Sequence, residues 1–134
     1  MRILLDTHIL LWSLFESRKL SDKAKRIIMD PDNILYVSSA SVWEVSIKSQ
    51  KPNAKINISG GLFSHYCKEA GFIPLNINAS HAITTESLQI KDGLTVNHDP
   101  FDRILLAQAK TENMYLLTHD KMFMNYDEKC ILFD

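Results

Sequence analysis

Short apolar runs recur along this chain, and each is followed by a longer segment of helical character. The runs are Ile3 to Leu5, Ile34 to Val37, Phe72 to Leu75, Tyr115 to Leu117 and Ile131 to Phe133. Runs this short suit strands buried on both faces, and their alternation with helices points to a parallel sheet with helices on each side. The intervening helices are expected over Ile9 to Leu14, Asp22 to Met29, Val42 to Lys48, Leu62 to Ala70, Ala79 to Leu88 and Phe101 to Thr111. Asp30-Pro31-Asp32-Asn33 is a turn signal ahead of the second strand, and Gly71 stops the fourth helix. Lys51 to Gly61, with Pro52, Asn53, Asn57 and the Gly60-Gly61 pair, reads as a loop, as does Lys91 to Asn97. There is no internal repeat, low-complexity tract or linker.

With 134 residues, one hydrophobic core is the expectation, so residues 1–134 are read as a single domain. At 46% hydrophobic and 23% charged, the composition is that of an ordinary globular protein. Lys+Arg 15 against Asp+Glu 16 leaves a net charge of -1, so bulk charge does not argue for a nucleic-acid partner. Cys67 and Cys130 are too few for a disulfide scaffold, which favours reduced thiols and a cytoplasmic setting. Arg2 followed by the apolar stretch from Ile3 to Phe15 has the outline of a secretory signal, but Asp6 and His8 interrupt it and no small-residue cleavage site follows. No transmembrane segment and no membrane partner are expected.

Carboxylates follow the strand-like runs. Asp6 comes directly after Ile3-Leu4-Leu5, Glu44 opens the helix after Ile34 to Val37, and Asp120 ends Leu117-Thr118-His119-Asp120. In an open parallel sheet such residues gather along the carboxyl edge, and the crevice where strand order reverses is the usual ligand site. Each acid also has a local explanation. Ser41-Val42-Trp43-Glu44 has capping-box form, Asp99-Pro100 resembles an N-cap with proline at N1, Asp102 then stands at N3, and Asp120 can cap a short helix through Met124. Asp6 is the hardest to explain locally, because it interrupts a run that should be core, where an unpaired charge is costly. If the four acids converge, either their pKa values rise or cations bind among them. Hard oxygen donors without cysteine select Mg²⁺ or Mn²⁺.

His8, His65, His81, His98 and His119 show no HExxH or regular Cys/His spacing, which argues against zinc; most read as surface or helix-end residues. His98 and His119 lie beside the acids, and substrate contact by either stays open. Trp12 and Trp43 sit in helix-like segments and read as core in preference to base-stacking platforms.

The acids fall within longer blocks. Leu4-Leu5-Asp6-Thr7-His8 leads to Leu11-Trp12. Ser38-Ser39-Ala40-Ser41-Val42-Trp43-Glu44-Val45-Ser46-Ile47-Lys48 follows, then Asp99-Pro100-Phe101-Asp102-Arg103-Ile104-Leu105-Leu106-Ala107-Gln108-Ala109, then Leu117-Thr118-His119-Asp120. In this order, and over nearly the whole chain, they resemble the PIN-domain ribonucleases, and among them the VapC-type toxins of toxin–antitoxin modules. The segment from Lys91 to Asn97 matches poorly, and Asn97-His98 ahead of Asp99 departs from the usual arrangement.

The resemblance implies a three-layer α/β fold: a central parallel sheet of about five strands in the order 3-2-1-4-5, flanked by helices. It also implies a metal-dependent endoribonuclease in which Asp6, Glu44, Asp102 and Asp120 hold Mg²⁺ or Mn²⁺. Thr7, Thr118 and Asp99 become candidates for the groups around that site. Lys48, Lys51, Lys55 and Arg103 are candidates to grip the RNA backbone, against a plain solvated role for each. An inhibiting antitoxin and a homodimer are the implied partners, covering the helices from Leu10 to Met29 and the loop through Gly61. Two other readings remain. One is a metal-dependent phosphohydrolase with Asp6 as nucleophile, although His8 stands where its second acid would be; the other is a PIN-like module that binds RNA or protein without cleaving it. The sequence does not name the RNA, the cut position, the metal count or the antitoxin.

Overall fold

The computed structural model describes residues 1–134. Five strands form one sheet: β1 (Arg2–Leu5), β2 (Ile34–Ser38), β3 (Ile73–Leu75), β4 (Tyr115–Thr118) and β5 (Ile131–Phe133). All four pairings are parallel and the order is β3-β2-β1-β4-β5. The expected α/β class and strand order are therefore observed. Six helices join the strands: α1 (Thr7–Phe15), α2 (Asp22–Met29), α3 (Ser39–Ser49), α4 (Gly60–Glu69), α5 (Ala79–Thr84) and α6 (Pro100–Thr111).

Successive residues of a strand point to opposite faces, so a strand covered on both sides must be apolar throughout. In β1, Ile3 and Leu5 join a core with Ile9, Leu10, Val45, Phe63 and Cys67, whereas Leu4 faces a second core with Leu105, Leu106, Ala109 and Phe123. β4 divides likewise, with Leu117 in the first core and Leu116 in the second. This makes three layers, with the site-bearing ends of β1 and β4 in the middle one. Burial pushes the Cys67 thiol up to about 12, so it packs as a small apolar group. Both cysteines are unpaired, and no helix is long and apolar enough to cross a membrane.

Side-chain caps fix where the helices begin. Ser21, Ser38, Ser59, Asn78 and Asp99 each accept a backbone N–H from the first turn that follows. Several boundaries differ from the sequence reading for this reason. Ser38 accepts from Ala40 N, so α3 starts three residues before Val42 and Glu44 lies inside the helix. Ser59 caps α4, which places Gly60 and Gly61 in its first turn and not in the loop. α5 ends at Thr84 and a 3₁₀ turn, Thr85–Ser87, continues it.

Gly60 lets α4 approach α3 closely. A Cβ there would lie 1.8 Å from Ser46 Oγ, 3.0 Å from Ser46 Cβ and 3.1 Å from the Val42 carbonyl oxygen. Ser46 Oγ can rotate away, but it would give up its 2.8 Å bond to Val42 O, and the backbone oxygen cannot yield without moving the helix. Gly60→Ala is expected to destabilise the protein by about 1–3 kcal/mol, as overpacking does, although alanine is the better helix former. Urea unfolding of the variant checks this; an unchanged midpoint would show that the helices separate freely.

His81 stands at a helix end, one of the two places expected of the histidines, but it is fully buried. Its Nδ1 accepts from Asn78 N at 3.1 Å, closing a capping box, which leaves Nε2 to carry the proton toward Glu112 Oε1 at 3.3 Å. Sequence spacing does not reveal this, because the Glu112 partner comes from α6.

Candidate active site

The order of the sheet reverses at β1, so β1 and β4 flank the switch point. Asp6 follows β1 and caps α1 with its own carboxylate, Oδ1 accepting from Thr7 N at 2.7 Å. Its Oδ2 accepts from Thr118 Oγ1 of β4 at 2.7 Å, and its backbone N–H donates to Leu117 O at 3.0 Å. The side chain is held from two strands and is 6% exposed. Burial pushes its pKa up, and the bonds from Thr118 and Thr7 oppose that shift.

Thr118 also accepts from Asp120 N at 3.0 Å, so one hydroxyl joins Asp6 to the start of the next acid's turn. Asp120 is exposed, and its Oδ1 caps the 3₁₀ turn Lys121–Asn125 through Met122 N at 2.9 Å. Asp99 caps α6, with Oδ1 accepting from Phe101 N at 2.8 Å and Asp102 N at 3.2 Å. Asp102, half-buried in the first turn of α6, makes no capping bond. Burial raises its carboxyl, and the charges of Asp6, Asp99, Asp120 and Glu44 raise it further, to about 8. Acids from four separate elements thus act on a single carboxyl.

Glu44 is 6% exposed and does not form the capping box that its spacing allowed, because Ser38 and not Ser41 begins the helix. Its Oε2 instead meets Lys48 Nζ at 2.6 Å, one turn along α3. Burial disfavours charge on Lys48, yet the bond to Glu44 and the nearby Asp99 and Asp102 outweigh burial and raise its pKa. The ammonium therefore stands as a cation against the edge of the acidic group. Thr7 differs from its expected role. Its hydroxyl donates to Ser41 Oγ at 2.8 Å and bonds no carboxylate, while its backbone N–H serves Asp6.

No three His, Cys, Asp or Glu side chains are disposed to enclose one ion. That excludes a ready-made tetrahedral cage. It is compatible with Mg²⁺, which keeps several waters and binds through one or two carboxylates plus substrate phosphate. The donor set is all oxygen, and the raised Asp102 carboxyl marks a surplus of negative charge that a divalent cation would relieve. By charge and donor type the residues fit such an ion.

Of the expected phosphate-gripping bases, Lys48 and Arg103 are partly exposed and already bonded within the protein. Arg103 Nη1 donates to Tyr126 Oη at 3.2 Å and Nη2 to Thr85 O at 2.7 Å, tying α6 to two neighbouring segments. Lys51 and Lys55 are exposed. His98 is exposed beside Asp99, and His119 stacks on Phe133, meets the edge of Trp12 and places Nδ1 3.3 Å from Asp134 Oδ2. Trp43, read from sequence as core, is 60% exposed, with its ring 5.3 Å from Phe101 in a T-shaped pair; Trp12 is half-buried.

A buried polar layer beneath the acids went unread in the sequence. Ser41 receives the Thr7 hydroxyl, and Ser38 Oγ donates to Gln108 Oε1 at 2.5 Å, joining α6 to the end of β2. Gln108 stands four residues from Ile104 among apolar neighbours, and a lone amide in a helix that should be core was the available signal.

A family model described as PIN domain matches residues 3–129. No curated protein sequence matches. Among solved structures, the fold is similar to VapBC2 from Rickettsia felis bound to a DNA fragment from its promoter, with TM-score 0.66 at 15% identity, covering 100% of this chain and 98% of that one. It is also similar to a toxin–antitoxin complex from Klebsiella pneumoniae, with TM-score 0.62 at 19% identity and coverage of 97% and 95%. FitAcB from Neisseria gonorrhoeae follows, with TM-score 0.53 at 17% identity and coverage of 92% and 91%. At these identities the likeness speaks to fold, and the match over residues 3–129 speaks to descent: the chain belongs to the PIN domain family.

Proposed function

We propose that this chain is a metal-dependent endoribonuclease that hydrolyses RNA phosphodiester bonds in the cytoplasm as the toxin of a toxin–antitoxin pair. The observation that carries the reading is the gathering of Asp6, Glu44, Asp99 and Asp120 around the half-buried Asp102, where burial first and these charges next raise the carboxyl to about 8. A protein gains nothing in stability by gathering like charges, so the arrangement suits a cationic ligand. Asp6, Glu44, Asp102 and Asp120 would hold Mg²⁺ or Mn²⁺, with Asp99 and Thr118 supporting them. When bound, such an ion makes water a better nucleophile and offsets charge developing on the phosphate.

The chain's own residues then have distinct tasks. Asp6 is held at both oxygens, by Thr7 N and Thr118 Oγ1, which suits a fixed ligand better than a nucleophile that must reach phosphorus. Lys48, paired with Glu44 at the edge of the acids, would supply an ammonium for a phosphate oxygen if Glu44 turned to a metal ion. Arg103 supports through its ties to Thr85 and Tyr126 and adds positive charge at the rim.

An antitoxin partner is supported by the toxin–antitoxin complexes among the similar structures and by an apolar groove away from the acids. That groove is lined by Leu11, Phe15, Ile56 and Ile58, within the surface that the sequence pointed to, and by Leu62 and Tyr66 of α4, which lie beyond it. A homodimer belongs to the same reading, and sedimentation equilibrium measures it.

The deciding experiment incubates the purified, antitoxin-free chain with structured and single-stranded RNAs in Mg²⁺, Mn²⁺ or EDTA. Cleavage with either metal and none in EDTA is the expected result. Hydrolysis of p-nitrophenyl phosphate without RNA cleavage would favour a phosphohydrolase, and RNA binding without turnover would favour a non-cleaving module.

A further inference from the structure

A cleft of about 470 Å³ opens between α3, α5 and the start of α6, with Trp43, Ile77, His98, Phe101, Arg103 and Ile104 among its walls. It is not the acidic site, but the same two helices carry both: Trp43 precedes Glu44 on α3, and Phe101 precedes Asp102 at the start of α6. We propose that this cleft is a nucleobase subsite, which takes the unpaired base of a nucleotide next to the scissile phosphate against the indole of Trp43. The proposal rests on the nuclease reading for its substrate and goes further, in naming where the strand is gripped and what form it must have.

Three observations favour a base as the occupant. First, Trp43 is 60% exposed, so a large part of its ring is open to a ligand. It is nonetheless oriented, because Phe101 meets it at 5.3 Å and 75°. A T-shaped pair leaves at least one indole face uncovered by its partner, and an oriented ring loses little entropy on binding. Second, the lining contains no Asp or Glu, and Arg103 contributes a cation. A polyanion approaching the carboxylates of Asp6, Glu44, Asp99, Asp102 and Asp120 is repelled by them and attracted here. Third, the cleft has polar groups at an apolar wall. Arg103 spends one bond each from Nη1 and Nη2 on Tyr126 and Thr85, so it keeps further N–H donors, and the exposed His98 ring supplies another polar edge. Stacking surface with few polar groups is how single-stranded RNA is held with modest sequence preference.

The geometry also restricts the substrate. A paired base has its faces covered by its neighbours in the stack and offers only groove edges, so only an unstacked base presents a face to an indole. The subsite therefore selects unpaired nucleotides in loops, bulges or single strands.

The test uses the full chain with Asp6→Asn, so that RNA is bound and not consumed, and a short mixed-sequence single-stranded RNA in Mg²⁺ as probe. Trp43→Ala in that background is expected to weaken binding by about fivefold to a hundredfold, Trp43→Phe to restore most of it, and the same RNA annealed as a blunt duplex to show no dependence on residue 43. In the active enzyme Trp43→Ala should raise KM with little change in kcat. Ile77→Glu, at the exposed wall, should weaken binding in the same direction through its charge. Circular dichroism establishes that each variant is folded. Equal affinity of parent and Trp43→Ala overturns the proposal, as does a Trp43→Ala variant that turns a dimer into a monomer, which would mean that a second copy covers the cleft. RNA binding that depends on Trp43 in a protein that never cleaves would uphold the subsite and overturn the nuclease reading.

Discussion

Asp6→Asn is expected to slow metal-dependent RNA cleavage by more than about a hundredfold, the scale at which even residues supporting metal ligands act, while leaving the protein folded. The substitution keeps one of the two side-chain bonds and reverses the other, so that the Thr118 hydroxyl accepts where it now donates. Asparagine Oδ1 can still accept from Thr7 N, which now lies 2.7 Å from the carboxylate, and its amide can face Thr118 Oγ1, which both donates and accepts. What disappears is a negative charge in a site that is 6% exposed. Because burial raises the Asp6 pKa, removing that charge is expected to leave stability unchanged or improved, the usual trade between stability and function at such sites. Single-turnover cleavage and calorimetry on the same preparation check both halves. A variant that cuts RNA at the parent rate would remove Asp6 from the chemistry.

In the absence of divalent cation, the protein is expected to lose stability as pH rises from about 4 to 8, and Asp102 is the main reason. Its carboxyl has a pKa of about 8 when folded against 3.8 as the ordinary value. Between those limits the folded protein holds a proton there that the unfolded chain has released, so each increase in pH favours unfolding. The contribution is fully present below pH 3.8 and is lost as pH passes the folded value. Asp102→Asn should flatten this slope and melt higher than the parent at pH 8. Mg²⁺ should raise the parent's melting temperature more at pH 8 than at pH 5, because at the lower pH it must displace a proton. Identical slopes for parent and Asp102→Asn in EDTA would mean that the acids do not crowd Asp102 as described.

The helix starts show how far local sequence carries. Asp99 was legible as a cap because N-cap, proline and the first turn are neighbours in the chain, and it does bond Phe101 N and Asp102 N. Asp120 likewise caps its short turn. For Glu44 the same logic left a capping box open beside the metal-site reading, and the structure removes the capping box. Ser41 and Glu44 have capping spacing, but which of four closely spaced residues, Ser38 to Ser41, begins the helix depends on where β2 ends, and β2 ends where its pairing with β3 at Leu75 ends. Trp43 was misjudged for a related reason, and the burial of His81 at its helix end went unread. A helix with apolar residues on more than one side does not say which side meets the sheet, and the burial of His81 needs the distant Glu112 to satisfy the ring nitrogen that its own capping box with Asn78 leaves over.

By itself the sequence determined the alternation of strands and helices, the apolar strands that require cover on both faces, and the placement of an acid just beyond strands one and four. These depend on periodicity and on neighbours within a few residues. Only the tertiary structure decided that β1 lies between β2 and β4, so that Thr118 reaches across to Asp6 and five carboxylates share one field. Hydrogen bonds between residues 112 apart in sequence and repulsion across four elements have no local signature, because the energies that set them arise only when the strands pair.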